Sequence, residues 1–296
     1  MGATQTCEAR PRQIICRQIA ADDLASILDL LCEGFTRLPR RHWVAALEVL
    51  STRSTLKGMP RYGYMLESDG RAVGVLLVIA SEINGDGKAT TRSNGSAWYV
   101  KPEFRTYASI LLTHWFRAPA DTYLNIFPAE HTFGITEARG FARFTNGTSL
   151  VFPAMAVRST RVRILPADRL TEARYPVPDE DHSLLLDHLH TGCIAIWCET
   201  ENYGCPFIFR RRRIKSYLPG VQLIYCRDMD DLSRLAGPVG RYLLRLGLPM
   251  MLVGTNGLIP GVPGVYFRGK YPMYFRGKIK PRIGDLAYTE AALFGF

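Results

Sequence analysis

The residues with the most direct chemical potential lie between positions 98 and 115, where a short apolar strand leads into a helical pattern. Apolar side chains recur at helical spacing from Ala108 onward, which predicts a helix beginning there. The first backbone N–H groups of such a helix have no partner within it, so they form a site for an anion. Arg105 and Thr106 connect the strand to the helix. This stretch is therefore the predicted site for a phosphate-bearing cofactor, if the chain binds one.

Neither a metal site nor a disulfide framework is predicted. The seven cysteines are odd in number and contain no C-x-x-C pair, which favours reduced thiols in a cytosolic protein. Of the six histidines only His188 and His190 are closely spaced, and no third ligand accompanies them.

Composition indicates a globular chain without a membrane span. Hydrophobic residues make up 47% and charged residues 22% of the 296 positions, and no apolar run approaches the roughly 20 residues that cross a bilayer. The beginning lacks the apolar core of a signal peptide, so we expect a cytoplasmic protein. The net charge of +10 favours anionic partners such as nucleotide phosphates or an acidic carrier protein. Nucleic acid is the least favoured partner because the basic residues are spread and no recognition motif accompanies them.

The first half of the chain predicts a mixed α/β domain over residues 13–155, preceded by a flexible tail at 1–12. The pattern of apolar residues gives the order β, α, α, β, β, β, α, β, α, β. Asp69-Gly70 between two β-rich runs predicts a hairpin. Residues 84–95, rich in Gly, Asn, Ser and Thr, are expected to form a polar loop before a strand at 96–100.

The second half, residues 156–296, predicts a hairpin, a strand, a helix and a strand, the same order as the middle of the first half. The arginine run at 210–213 is either a solvated strand end or a contact for an acidic substrate or carrier protein. The sequence Tyr-Phe-Arg-Gly-Lys occurs twice, at 266–270 and 274–278, which predicts two facing β segments. Residues 284–294 are amphipathic and are expected to pack against the sheet.

The predicted anion site resembles a known motif. The pattern Val100-x-Pro102-Glu103-Phe104-Arg105-x-x-Ala108-x-Ile110 is similar to motif A of the Gcn5-related N-acetyltransferases (GNAT). The hairpin at Asp69-Gly70 resembles the second and third strands of that family, and Gly140-Phe141 resembles the end of its final helix. Together these features cover about residues 12–152. The second half resembles the same fold in element order only, so the resemblance implies two tandem copies of the GNAT fold.

The resemblance implies transfer of an acetyl or longer acyl group from acyl-CoA to an amine, with no metal. The acceptor would be a small-molecule or peptide amine, whose identity the sequence leaves open, as it does the acyl chain length and the oligomeric state. In the family the pyrophosphate of coenzyme A contacts backbone N–H groups of the loop, and the pantetheine arm adds to a splayed central strand. The corresponding cofactor-binding residues here are Val100, Arg105, Thr106, Tyr107, Ala108 and Ser109.

Three residues are candidates for the proton transfers that this chemistry needs. Glu82 follows the third strand and would face the splay as a base, although a strand-end acid in solvent is the plainer interpretation. His131 lies in the first turn of a predicted helix, whose N-terminus favours the neutral imidazole of a base. Tyr123, or Tyr107 as the alternative, would donate a proton to the leaving thiolate. For His131 a surface or capping role, and for Tyr123 a packing role, remain open.

Several positions depart from the family pattern. Ala108 and Ile110 stand where the family has glycines. Thr136 stands where the family often has a tyrosine that acts as the general acid. No carboxylate lies on the strand at 96–100, where the family base often sits. These departures favour an alternative, a catalytically inactive GNAT-fold protein that acts in binding or as a scaffold. In the second half, the acidic residues at 227–231 would repel a pyrophosphate, so we expect that half to form a lid or a substrate wall.

Overall fold

The computed structural model describes residues 13–85, 88–157, 161–215 and 217–295. The predicted tail at 1–12 lies outside these residues. The described strands are β1 (Ile14–Gln18), β2 (Gly63–Ser68), β3 (Arg71–Gly85), β4 (Lys88–Val100), β5 (Thr122–Asn125), β6 (Ala142–Val151), β7 (Arg163–Pro166), β8 (Ile194–Glu199), β9 (Gly204–Ile214), β10 (Leu218–Cys226), β11 (Met250–Thr255) and β12 (Gly264–Gly277). The described α-helices are α1 (Leu24–Gly34), α2 (Arg40–Thr52), α3 (Ala108–Trp115), α4 (Phe133–Ala138), α5 (Asp179–His190), α6 (Met229–Arg245) and α7 (Glu290–Leu293).

The described residues form two compact units. The first contains the described residues up to Val78 together with Ala97–Pro119, and the second contains the described residues between Ile79 and Ser96 together with those from Ala120 onward. The strands β3 and β4 therefore contribute residues to both units. The predicted element order of the first half, from β1 to β6, is confirmed. The predicted domain boundary at residue 155 remains a prediction.

The first unit contains an antiparallel arrangement of β1, β2 and the first part of β3. Strand β2 pairs with β1 on one side, where Ile14 faces Ser68, and with β3 on the other, where Gly63 faces Leu77. The predicted hairpin turn is present, and Asp69 and Gly70 both have positive φ, as a tight turn requires. Helix α3 packs beside β1 and β2, and α1 and α2 pack against each other. Their buried side chains include Trp43 of α2 and Trp115 of α3.

The second unit contains a mixed sheet in the order β3, β4, β5, β12, β6, β11, β10, β9, β8 and β7. The pairs β4–β5 and β10–β11 are parallel. The antiparallel pairs are β5–β12, β12–β6, β6–β11, β10–β9, β9–β8 and β8–β7. Helix α6 covers a core that includes Phe207, Leu223 and Leu235. Gly240 of α6 lies against a 3-10 helix, Pro153–Met155, so closely that an added Cβ would be 2.1 Å from the Ala154 nitrogen.

The predicted polar loop at 84–95 was wrong, since β3 extends to Gly85 and β4 begins at Lys88. The polar residues Arg92, Ser93 and Asn94 are buried. Arg92 and Asn94 tolerate burial because the carboxylate of Asp285 and the backbone N–H of Glu290, both in the C-terminal segment, bond to them. The strand is thus polar because of its partners and not because it faces solvent.

The prediction that the two copies of Tyr-Phe-Arg-Gly-Lys form two facing β segments was wrong. The copies follow one another along β12. Gly264 to Arg268 pair with Val151 to Gly147 of β6, and Met273 to Phe275 pair further along the same strand. Gly269 and Tyr271 between the copies have positive φ. This irregularity interrupts the pairing without reversing the chain, so the segment continues along β6.

Candidate functional site

The connection from β4 to α3 is more regular than a bare loop. The Lys101 N–H at the end of β4 donates to the Val73 oxygen over 2.9 Å. A 3-10 helix, Pro102–Tyr107, then continues directly into α3, and the Ala108 N–H donates to the Arg105 oxygen. This donor is therefore not free for an anion, contrary to the expectation that the helix begins with unpaired N–H groups.

The predicted cofactor residues differ in their exposure within the first unit. Arg105, Thr106 and Tyr107 are exposed, Ala108 and Ser109 are half-buried, and Val100 is buried. The side chain of Ile110 is half-buried beside them. Arg105 and the hydroxyl of Thr106 are thus open to a ligand. Their assignment to coenzyme A stays a prediction.

Arg105 lies close enough to Tyr99 to act on its hydroxyl. Burial, more than the hydrogen bond to Glu33, raises the pKa of Tyr99 to about 12, while the positive charge of Arg105 opposes the shift. The Tyr99 hydroxyl donates to Glu33 over 2.9 Å. On the same strand the indole N–H of Trp98 is buried and has no hydrogen-bond partner among the described residues.

In the second unit the parallel ladder between β4 and β5 is short. It contains three residue pairs and ends where Asn94 faces Leu124. There the Asn94 side-chain amide donates to the Leu124 oxygen over 3.3 Å. The strand β4 continues through Ala97, whose φ of 36° is left-handed and interrupts regular extension. The ladder thus ends before β4 does.

The C-terminal segment bonds to alternate residues of β4, which point to one face of the strand. The guanidinium of Arg92 donates to both carboxylate oxygens of Asp285, over 3.1 and 2.8 Å. The Glu290 N–H donates to the Asn94 oxygen over 2.9 Å, and the Ser96 hydroxyl donates to the Glu290 carboxyl. These bonds hold the beginning of α7 at the end of the β4–β5 ladder.

Glu290 is a candidate functional residue that the sequence did not reveal. Its carboxyl is buried, and burial raises its pKa to about 8 although hydrogen bonds from Ser96 and Asn94 act in the opposite direction. The Glu290 carboxyl accepts from Ser96 of β4, so it supplies a carboxyl group beside a strand segment, 96–100, that has none of its own. The only sequence signal was Thr289-Glu290 before an apolar run, which indicates no more than a helix start.

The predicted catalytic residues lie on three separate elements of the second unit. Glu82 is exposed on β3, and His131 is exposed in the short 3-10 helix Glu130–Thr132. Tyr123 is buried on β5, in register with Ser93 on one side and Arg276 on the other. Burial raises the pKa of Tyr123, which disfavours its anion and keeps the hydroxyl protonated as a donor. Their catalytic roles stay predictions.

The acidic residues after β10 serve the beginning of α6. Asp228 caps the helix by accepting from the Asp231 N–H over 2.6 Å. Asp231 is buried and accepts from the Tyr203 hydroxyl and from Arg234, each over 2.9 Å. Two of the carboxylates at this helix start, those of Asp228 and Asp231, therefore already have partners.

The arginine run at 210–213 lies within β9 and alternates in exposure. Arg211 and Arg213 are exposed, and Arg210 donates to the Thr191 oxygen. The guanidinium of Arg212 lies over the Phe127 ring, 5.8 Å from its centre, and its Nη1 is buried without a hydrogen-bond partner among the described residues. Burial lowers the pKa of Arg212. The run is thus only partly a solvated strand end.

The described residues contain neither a cluster suited to a metal ion nor a helix suited to span a membrane. No group of three or more His, Cys, Asp and Glu side chains within them is placed to hold a metal ion. None of the helices they form is long and apolar enough to cross a membrane.

Comparison with known proteins identifies the fold. No protein-family model matches the sequence, and no curated protein matches it significantly. Among solved structures, a GCN5-related N-acetyltransferase from Anabaena variabilis has a TM-score of 0.58 at 9% identity, with 93% of this chain and 74% of that chain covered. A protein from Pyrococcus horikoshii assigned as an acetyltransferase has a TM-score of 0.55 at 12% identity, with 93% of both chains covered. A GCN5-related N-acetyltransferase from Kribbella flavida has a TM-score of 0.53 at 13% identity, with 90% and 71% covered. The chain therefore has the acyl-CoA N-acyltransferase (GNAT) fold, a mixed α/β fold, as its motifs predict.

Proposed function

We propose that this protein transfers an acetyl or longer acyl group from acyl-CoA to the amine of a small molecule or peptide. The observation that carries the proposal is the short β4–β5 ladder, which ends at Asn94 and Leu124 although β4 continues to Val100. In a GNAT fold this is the place where the pantetheine arm adds beside the central strand, as an extra strand would. Arg105 follows the same strand and offers an exposed positive charge for the pyrophosphate.

The reaction needs one proton acceptor and one proton donor. The amine nitrogen attacks the thioester carbonyl carbon, the C–S bond breaks, and the acceptor's proton passes to a base while the thiolate takes up a proton. Tyr123 is the proposed donor to the thiolate because burial keeps its hydroxyl protonated. Glu82 and His131 remain proposed bases that solvent can reach.

Glu290 is the base that we favour. With a pKa of about 8 its carboxyl changes charge close to the pH at which an acceptor ammonium must lose its proton. Because the Ser96 hydroxyl donates to this carboxyl, Ser96 can relay a proton from the amine to Glu290. The step leaves Glu290 neutral, which is the form that its buried position favours.

Isothermal titration with acetyl-CoA and with a long-chain acyl-CoA tests the proposal at its first step. We expect heat with at least one of them. Arg105→Gln is expected to weaken binding about tenfold, in line with the loss of one charge-assisted hydrogen bond. Arg71→Gln removes an exposed arginine at the hairpin turn and serves as the matched control. Folded protein that gives heat with neither ligand refutes the acyl-CoA proposal.

The alternative is a binding or scaffold protein that has lost catalysis. The paired Ala108 N–H, the half-buried Ile110 and the buried Thr136 at the usual position of the acid support it. A thiol-release assay with acyl-CoA and a panel of amines separates the two functions. Binding without release of coenzyme A favours the scaffold, whereas release that falls at least a hundredfold in Glu290→Gln, with acyl-CoA affinity unchanged, favours the enzyme.

A further inference from the structure

A groove of about 620 Å³ lies in the second unit between α6 and the segment that contains β7. The strand β7 is the last strand of the sheet order in this unit, so one of its edges has no neighbouring strand among the described residues. Four arginines line the groove: Arg161, Arg169, Arg241 and Arg245. Neither the catalytic nor the cofactor-binding proposal uses any of these residues.

The sequence of α6 explains why its basic residues meet in the groove. Pro238, Arg241, Tyr242 and Arg245 follow the spacing i, i+3, i+4 and i+7, which places them on one face of a helix. Leu235, Val239 and Leu243 follow a second face and are fully buried in the core. Burial of this second face fixes the rotation of the helix, so the arginines must point into the groove.

Most of the positive charge in the groove lacks a carboxylate partner. Arg169 forms a forked pair with Glu172, over 2.8 and 3.1 Å. Arg161, Arg241 and Arg245 form no ion pair with any described carboxylate. Gathering guanidinium groups without counter-charges is electrostatically unfavourable, and a bound anion would relieve it.

One further carboxylate, that of Asp168, lies near Tyr242 of the groove wall. Burial raises the pKa of the Tyr242 phenol, the negative charge of Asp168 adds to the shift, and the positive charge of Arg211 opposes it. Asp168 and Arg211 therefore lie near Tyr242 and offset each other there. The positive excess of the groove remains after both carboxylates, Asp168 and Glu172, are counted.

The walls between the arginines are apolar. Val162, Ile164 and Tyr242 are partly buried and pack against the hydrophobic core, and Pro238 is buried in the helix. A volume of about 620 Å³ is within the roughly 300 to 1,000 Å³ of small-molecule sites. Apolar walls with a basic rim match an organic molecule that carries a concentrated negative charge.

We propose that this groove binds the pyrophosphate group of a small organic ligand. Guanidinium groups present planar, forked donors that match phosphate oxygens. Three guanidinium groups without an ion pair to a described carboxylate can serve two linked phosphates better than they serve a single phosphate. The apolar walls would then contact the organic part of the ligand. The site is separate from the proposed acyl transfer and does not depend on it.

Titration calorimetry with inorganic pyrophosphate at about 50 mM salt tests the proposal. We expect binding at least tenfold tighter than that of orthophosphate, with affinity that falls as salt rises. The double variant Arg241→Gln and Arg245→Gln should weaken pyrophosphate binding at least tenfold. A control with Arg139→Gln and Arg268→Gln removes the same charge from exposed positions elsewhere in the unit and should change affinity less than twofold.

Arg105→Gln distinguishes this groove from the proposed cofactor site. If the groove binds pyrophosphate, Arg105→Gln leaves that affinity unchanged, and the groove variant leaves acetyl-CoA binding unchanged. Loss of pyrophosphate binding in Arg105→Gln, with retention in the groove variant, overturns the groove proposal and supports the cofactor site. Absence of pyrophosphate binding by the folded wild-type protein also overturns it, as does an equal loss in the charge-matched control.

Discussion

Replacement of Glu290 by glutamine tests whether a buried, neutral carboxyl lies at the end of the β4–β5 ladder. Glutamine has nearly the same shape and can keep the hydrogen bonds to Asn94 and Ser96. It cannot ionise, so it removes only the titration. If Glu290 has the environment described, the wild-type protein and the variant should differ in the pH dependence of their stability.

The expected magnitude follows from the pKa of Glu290, which rises from 4.5 to about 8 on folding. The folded state then holds the proton more tightly than the unfolded state, so wild-type stability falls as pH rises between these values and levels off above about 8. Each pH unit corresponds to about 1.4 kcal/mol, which gives roughly 5 kcal/mol over the whole window. Glu290→Gln lacks this loss, so its advantage should grow with pH.

Urea unfolding of both proteins between about pH 5.5 and 8.5, followed by circular dichroism, measures this difference. Subtracting the two free energies of unfolding cancels the other titrating groups. We expect the difference to increase by roughly 3 kcal/mol between pH 5.5 and 8, with equal m-values. Glu48→Gln, at an exposed position on α2, is the control and should show no such slope. A difference between wild type and Glu290→Gln that does not change with pH refutes the assignment.

Three further predictions concern the packing and charge of the second unit and are measured by thermal or urea unfolding. Gly240→Ala should destabilise the protein by about 1 to 3 kcal/mol through overpacking. Gly134→Ala has open space around the added Cβ and should stabilise α4 by up to about 1 kcal/mol. A change of the same sign in both variants would contradict the close approach at Gly240. Arg212→Met should leave stability unchanged or raise it by about 1 kcal/mol, because it removes a half-buried guanidinium whose buried Nη1 has no hydrogen-bond partner among the described residues. A clear loss of stability would contradict this reasoning. Arg92→Met should destabilise the protein by roughly 3 to 5 kcal/mol, because it leaves Asp285 buried opposite an apolar side chain. Adding Asp285→Leu should recover most of the lost stability. If the double variant recovers none, the broken ion pair is not the cause of the loss.

Local sequence patterns predicted those elements that residues within one short segment specify. The apolar spacing of α2 and α3 and the Asp69-Gly70 turn each specify an element within one short segment, and all three are observed. The motif from Val100 to Ile110 also predicted the fold. The 3-10 helix before α3 was not predicted, because nothing in that motif distinguishes a loop from a tight helical turn.

The strand at 88–96 could not be predicted, because its stability depends on residues nearly two hundred positions away. Arg92 and Ser96 read as loop residues until Asp285 and Glu290 are brought beside them, at sequence separations of 193 and 194. The same distance concealed the candidate base, since burial among residues far away in the sequence raises the pKa of Glu290, and no local spacing encodes that burial. In this chain the polar strand and the unusual carboxyl are therefore one feature. The C-terminal segment supplies the partners that allow β4 to be polar, and β4 contributes to the buried site that raises the pKa of Glu290.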